Sequence, residues 1–151
     1  MMIYLGADHR GFSLKEGVKV FLKNEGYQIS DMGAEAEVPD DDYFNYAKAV
    51  AEKVAADPIA GRGILFCSSG VGMDITANKF GGIRSVLAMS PDHALVSRHD
   101  EDTNVLSLAA DFLDLETAKK IVSVWLQTPF SNEERYKHRL EKLNNFEHTK
   151  R

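Results

Sequence analysis

Gly63-Ile64-Leu65-Phe66-Cys67-Ser68-Ser69-Gly70-Val71-Gly72-Met73-Asp74-Ile75 is the stretch whose pattern decides the fold. Ile64 to Phe66 is a short unbroken apolar run, as expected of a strand buried on both faces. Ser68 to Gly72 is turn material. Met73, Ala77 and Phe80 then fall on one side of a helix over 73–80. A strand, a small-residue loop and a helix start make a natural anion site, because the loop amides and the helix dipole point at whatever negative charge sits there. The same field is expected to lower a thiol pKa from its ordinary value of about 8.5. Cys67, the chain's single cysteine, stands at the head of that loop. Two readings compete for it: a small hydrophobe buried at a strand end, and a base or nucleophile beside a backbone oxyanion hole.

Working outward, strand-like and helix-like stretches alternate. Met2 to Leu5, Tyr27 to Met32, Ser85 to Ala88 and Val105 to Leu108 read as the first, second, fourth and fifth strands. Ser13-Leu14-Lys15-Glu16 fits a capping box ahead of the stripe Leu14, Val18, Phe21 and Leu22, and Gly26 is placed to end that helix. Asp40-Asp41-Asp42 reads as a solvated loop plus an N-cap, not a metal site, before a helix from Tyr43 to about Ala56. Pro91-Asp92 opens another helix, Asp114 or a neighbour caps one running to about Leu126, and Ser131 can cap a last one. With no repeat and no linker, this is one domain over 1–151, an α/β sandwich on a parallel sheet. In such sheets ligands bind beyond the strand C-termini, which is where Asp8, His9 and Cys67 fall.

Composition narrows the function classes. The 151 residues are 44% hydrophobic and 27% charged, enough for a core of ordinary kind. No apolar run approaches a membrane span, and Met1 to Gly6 lacks the regions of a signal peptide. One cysteine allows no internal disulfide, so a cytoplasmic location is expected. A net charge of −5 without a basic tract, except at the Lys150-Arg151 end, argues against nucleic-acid binding. The five histidines have no metal-ligand spacing, and neither GxGxxG nor a P-loop motif is present.

Two further groups carry charge suited to a ligand. Gly6-Ala7-Asp8-His9-Arg10-Gly11 is a polar loop opening a helix, where an Asp-His pair can bind sugar hydroxyls and phosphate or simply form a turn. Arg135 and Arg139 are four apart on one helix face, so their guanidinium groups can converge on a phosphate. The competing reading is a solvated basic face partnered by Glu133, Glu134 and Glu141.

Taken in order, Asp8-His9-Arg10-Gly11-Phe12 with Leu14-Lys15, then Gly63 to Gly72, Ala77-Asn78-Lys79-Phe80 and Gly82-Ile83-Arg84 resemble the ribose-5-phosphate isomerase type B family, which also holds the galactose-6-phosphate isomerase subunits. The resemblance runs from the first strand to Leu143. It implies a Rossmann-like three-layer α/β/α sandwich with a five-stranded parallel sheet and a C-terminal helix reaching a partner subunit. It also implies a homodimer or dimer of dimers with shared active sites. Residue by residue, Cys67 matches the base moving a proton between C2 and C1. Ser68, Ser69, Gly70, Val71 and Gly72 match the loop holding the enediolate oxygens. Ser69 stands where a Thr usually assists ring opening. Asp8 and His9 match sugar- and phosphate-binding residues, and Arg135 and Arg139 match phosphate-binding arginines contributed by the other subunit. Many members carry a ring-opening His followed by a substrate-binding Asn. Here Asp100 and Glu101 occupy those two positions, and His99 lies one residue early, about 100° round a helix. Asp100 is itself a candidate catalytic acid–base group there, with its pKa raised by burial. A further family arginine aligns with Asp111, and the usual Tyr-Pro is Tyr43-Phe44.

The expected chemistry is aldose–ketose isomerisation of a small-molecule sugar phosphate without metal or organic cofactor. A base must take a weakly acidic proton beside a carbonyl while the developing oxyanion is stabilised. Cys67 is suited to the first task and the amides of Ser69 to Gly72 to the second. Three alternatives stay open. In a phosphocysteine carrier the Cys would follow the first strand. A non-catalytic sugar-phosphate sensor would tolerate the missing His-Asn. In a hetero-oligomeric isomerase a paralogous chain would supply the missing groups.

Overall fold

The computed structural model describes residues 1–149. Five strands, β1 (Met2–Ala7), β2 (Gln28–Asp31), β3 (Gly61–Cys67), β4 (Ser85–Leu87) and β5 (Val105–Ala109), alternate with helices α1 (Phe12–Asn24), α2 (Tyr43–Ala56), α3 (Val71–Ala77), α4 (Pro91–Glu101), α5 (Leu115–Gln127) and α6 (Glu134–Thr149). The strands are all parallel, in the order β2-β1-β3-β5-β4. No helix among the described residues is long and apolar enough to cross a membrane.

The pleat divides the apolar residues between two cores. Ile3, Leu5, Ile64, Phe66, Leu106 and Leu108 meet Leu14, Val18 and Leu22 of α1 and Ala118, Ile121, Val122 and Trp125 of α5 on one face. Leu65, Cys67 and Val105 meet Ala47, Val50, Ala51 and Val54 of α2 and Met73 and Ala77 of α3 on the other. This is the three-layer sandwich expected. Chain direction across the sheet reverses between β1 and β3, so their C-terminal ends form the crevice where such sheets take ligands.

Local readings shift in places. β1 and β3 are longer than their apolar runs, because Gly6 and Ala7 continue the ladder opposite Leu65 and Phe66 while Gly61 and Arg62 extend it opposite Met2 and Ile3. α1 begins at Phe12 with Gly11 as its cap and no side-chain cap bond, so Ser13 sits inside the helix and the capping box does not form. The cause is tertiary: Gly11 lies so close to the end of β3 that a Cβ there would be 2.2 Å from the Phe66 carbonyl oxygen. Gly26 does end α1, with φ +83° and the paired bonds of a Schellman turn from Gly26 N–H to Lys23 O and Tyr27 N–H to Leu22 O. α3 starts at Val71, before the first apolar residue of its stripe, and ends at Ala77. Asp42 and Asp114 cap α2 and α5 as expected. Ser131 does not cap α6, which starts three residues later at Glu134; its hydroxyl accepts from the Glu133 amide at 3.3 Å.

Candidate active site

The C-terminal edge of the sheet gathers the β1, β3 and β5 loops. Asp8 N–H donates to Phe66 O (3.3 Å), Ala110 N–H to Cys67 O (2.8 Å) and Asp111 N–H to Ser68 O (3.0 Å), so the Cys67 loop is held from both sides. Cys67 is 5% exposed and points to the α2/α3 face. Its sulfur accepts the Gly70 amide at 3.1 Å. Gly70 takes a left-handed φ of +75° to make that turn. The Val71 amide goes to the Ser69 hydroxyl at 3.3 Å. A Cβ on Gly72 would meet the Tyr43 ring at 2.7 Å, so Tyr43 at the start of α2 lies against this loop.

The expected lowering of the thiol pKa is not what the surroundings produce. Burial pushes the Cys67 thiol up and the Asp8 carboxylate adds to this; the amides of Gly70, Met73 and Ser69 pull the other way without offsetting it. Desolvation outweighs a few dipoles at a fully packed strand end. The loop amides are also shared differently from expectation, since that of Gly70 serves the sulfur.

Asp8 is 6% exposed. Burial pushes its carboxyl up despite the bond it accepts from the Gly11 amide at 2.9 Å. His9 is pinned by Asp41, whose Oδ1 lies 2.8 Å from both the His9 amide nitrogen and Nδ1. That bond holds the imidazole pKa above its ordinary value. The Asp40-Asp41-Asp42 run is therefore not simply solvated: the Asp41 side chain is only 8% exposed. Arg10 reaches Asp111 at 2.8 Å.

The remaining expected site residues lie elsewhere in the chain. α4 leaves the C-terminal end of β4 and returns, so its last turn sits at the opposite edge of the sheet. There Arg84, just before β4, donates through Nε to the carbonyls of Glu101 and Asp102, 3.0 Å each. Asp100 Oδ1 lies 2.6 Å from His99 Nδ1. This bond holds the Asp100 carboxyl below the usual range, with help from the Tyr136 hydroxyl and Arg135, the opposite of the rise by burial expected for an acid–base role. The Tyr136 ring is 7% exposed and carries the Arg135 guanidinium 4.4 Å and the Arg139 guanidinium 5.5 Å from its centroid. The two arginines do converge, on an aromatic platform. β3, seven residues long, separates this cluster from Cys67 by about 20 Å. One chain thus holds two half-constellations: Asp8, His9 and Cys67 to Gly72 at one edge, and Asp100, Arg135 and Arg139 at the other.

Sequence reasoning did not single out Asp41 or Tyr136. Asp41 gains its role only from a partner 32 residues away. For Tyr136 the signal was available: an aromatic residue between Arg135 and Arg139 on a polar helix.

The model of a family described as Ribose/Galactose Isomerase matches residues 3–143. The chain is 44% identical over 124 residues to ribose-5-phosphate isomerase B of Escherichia coli, covering 82% of each protein. It is 34% identical to a putative sugar phosphate isomerase of Bacillus subtilis over 97% of both. Among solved structures it resembles ribose-5-phosphate isomerase B of Mycoplasma genitalium with bound ribulose-5-phosphate (TM-score 0.94, 32% identity, 97% of this chain and 95% of that one). It is equally similar to that of Clostridium thermocellum (TM-score 0.94, 34% identity, 100% of both).

Proposed function

The chain belongs to the ribose/galactose isomerase family, and from that premise we propose that it interconverts the aldose and ketose forms of a phosphorylated sugar through a cis-enediolate, with Cys67 as the base. The observation that carries this reading is the Cys67 sulfur at the topological switch point, 3.1 Å from the Gly70 amide and ringed by backbone donors. The thiolate removes the proton from the carbon next to the carbonyl, and the electron pair moves onto the carbonyl oxygen. The resulting thiol returns the proton to the neighbouring carbon while the hydroxyl proton of the second enediol oxygen passes to the first, so the carbonyl has moved by one carbon and no electrons leave the substrate. Backbone amides of the Ser68 to Gly72 loop hold the enediolate oxygens, with Ser69 beside them. The same amides that stabilise an enediolate stabilise the thiolate, which offsets part of the cost of ionising a buried sulfur.

The phosphate is the handle that fixes the reacting carbons against the base. His9 lies at the same edge, its imidazole pKa raised by the bond to Asp41. Arg135 and Arg139 stand about a strand length away within a chain, so they serve the active site of a second copy, reached by α6. Each functional site in a homodimer or dimer of dimers is then built from two chains. α6 is suited to this, because it packs on its own chain through Tyr136 while Leu143 and Phe146 are about half exposed.

The test is an isomerase screen of the pure protein across four-, five- and six-carbon sugar phosphates, in both directions. Turnover of at least one, absent in Cys67→Ala, is expected. Binding of sugar phosphates without turnover of any would overturn the catalytic reading.

A further inference from the structure

Arg10 and Asp111 belong to the loops after β1 and β5, yet β1 and β5 are not neighbours: β3 lies between them. Strands are spaced by about 4.8 Å, so the ion pair spans about 10 Å and passes over the end of the strand that carries Cys67. Asp111 is fixed there by its own amide, which donates to Ser68 O at 3.0 Å. The guanidinium gives one nitrogen to Asp111 Oδ2 at 2.8 Å. Its other two nitrogens have no partner among the described residues. The pair is open to solvent, with side-chain exposures of 56% and 44%, and as an exposed salt bridge contributes little to stability. On the α1/α5 side, Arg10 borders a cavity of about 270 Å³ with Ser13, Leu14, Ala110, Leu113 and Leu115. The thiol lies on the other side of the same strand end. His9, the neighbouring residue, is likewise held by a carboxylate from a distant stretch of the chain, Asp41.

We infer that Arg10 is a substrate-binding residue that takes the phosphate group at the α1/α5 side of the Cys67 loop, and that Asp111 is the positioning residue that swings its guanidinium across the end of β3. A phosphoryl sugar lying over the Ser68 to Gly72 loop has its reacting carbons at the thiol and its charged end beneath the unused donors of Arg10. A guanidinium with two free N–H edges matches phosphate oxygens in a way an ammonium does not. The inference rests on the isomerase reading for the sugar, but not for the anion.

The experiment measures inorganic phosphate binding by calorimetry alongside isomerase kinetics, in wild type, Arg10→Met, Arg10→Lys and the double variant Arg10→Met with Asp111→Arg. Arg10→Met is expected to weaken phosphate binding and raise KM about tenfold, the loss of one charge-assisted contact, with kcat changed much less. Arg10→Lys keeps only part of the affinity. The double variant recovers most of it, because a guanidinium rooted at position 111 reaches the same point from the opposite wall. Unchanged phosphate affinity and KM in Arg10→Met overturn the inference, as does a loss that the double variant fails to recover, which would reduce the pair to a loop tie. If the wild type turns over no sugar phosphate but Arg10→Met still weakens phosphate binding, the isomerase reading fails and the anion site stands.

Discussion

At the scale of residues, Cys67 is caught between burial and backbone donors, and burial prevails. The base form of the free enzyme therefore appears only as pH rises toward a thiol value above the ordinary one. The rising limb of kcat/KM against pH should continue well past neutrality, since kcat/KM reports ionisations of the free enzyme. A profile already flat at pH 7 would assign proton abstraction to another group. Cys67→Ala should remove turnover while leaving substrate affinity within a few-fold, because the lost interaction belongs to the transition state. Gly70 makes a second residue-scale prediction. Its φ is +75°, and a Cβ would lie 2.4 Å from Leu87 Cδ1, so Gly70→Val must displace the loop. A folded Gly70→Val protein should show kcat and kcat/KM lowered together; normal kinetics would reduce the loop to a turn.

At the scale of elements, the loop that carries Asp8 and His9 depends on a buried lysine. Lys15 of α1 is fully buried and donates to both oxygens of Asp31 at the end of β2 (2.8 and 2.9 Å) and to Ala34 O (2.7 Å). This ties α1 to the strand beside β1, while Ala34 N–H reaches Ala7 O next to Asp8. Lys15→Met leaves Asp31 with Lys19 and the Gly33 amide and should cost about 3 kcal/mol in urea unfolding near neutral pH. Burial alone would raise the Asp31 pKa, but Lys15, Lys19 and the Gly33 amide outweigh it and the net shift is downward. A carboxylate with a depressed folded pKa contributes stability above its unfolded value of about 3.9 and loses it as pH falls through the folded value. The gap between wild type and Lys15→Met should therefore narrow below about pH 4. A gap independent of pH would mean that packing, not the ion pair, carries the effect.

At the scale of the whole molecule, the two half-constellations at opposite sheet edges call for a second chain. Mixing Cys67→Ala with Arg135→Ala should restore part of the activity through hybrid sites that have both groups intact. No restoration despite demonstrated subunit exchange would place the whole site in one chain. The Asp100 carboxylate, held ionised by His99, is poorly suited to protonate a ring oxygen. Ribose 5-phosphate closes a furanose ring through its C4 hydroxyl and must open it before proton abstraction, whereas a four-carbon aldose with phosphate on C4 has no hydroxyl left to close a stable one. The enzyme is therefore expected to favour short acyclic sugar phosphates or to turn over ribose 5-phosphate slowly. Asp100→His with Glu101→Asn should raise activity selectively on the ring-forming substrate; an equal effect on both substrates would refute the link to ring opening.

Local pattern determined a great deal by itself. Apolar runs of strand length and 3.6-residue stripes are properties of neighbouring residues, and so were five strands, the alternation with helices, the caps at Asp42 and Asp114 and the Cys67 loop. The same holds for the pairing of Arg135 with Arg139, which helical spacing alone imposes. What pattern could not carry are quantities set by distant partners. The thiol pKa depends on how completely α2, α3 and Asp8 exclude water around Cys67. The His9–Asp41 and Arg10–Asp111 pairs join residues 32 and 101 positions apart, with no local signal for either. The cap of α1 was moved from Ser13 to Gly11, which closely approaches Phe66. Above all, the separation of Asp100 and the two arginines from Cys67 follows from chain direction in a parallel sheet. Residues after β1 and β3 emerge at one edge, and a helix that precedes β5 must end at the other.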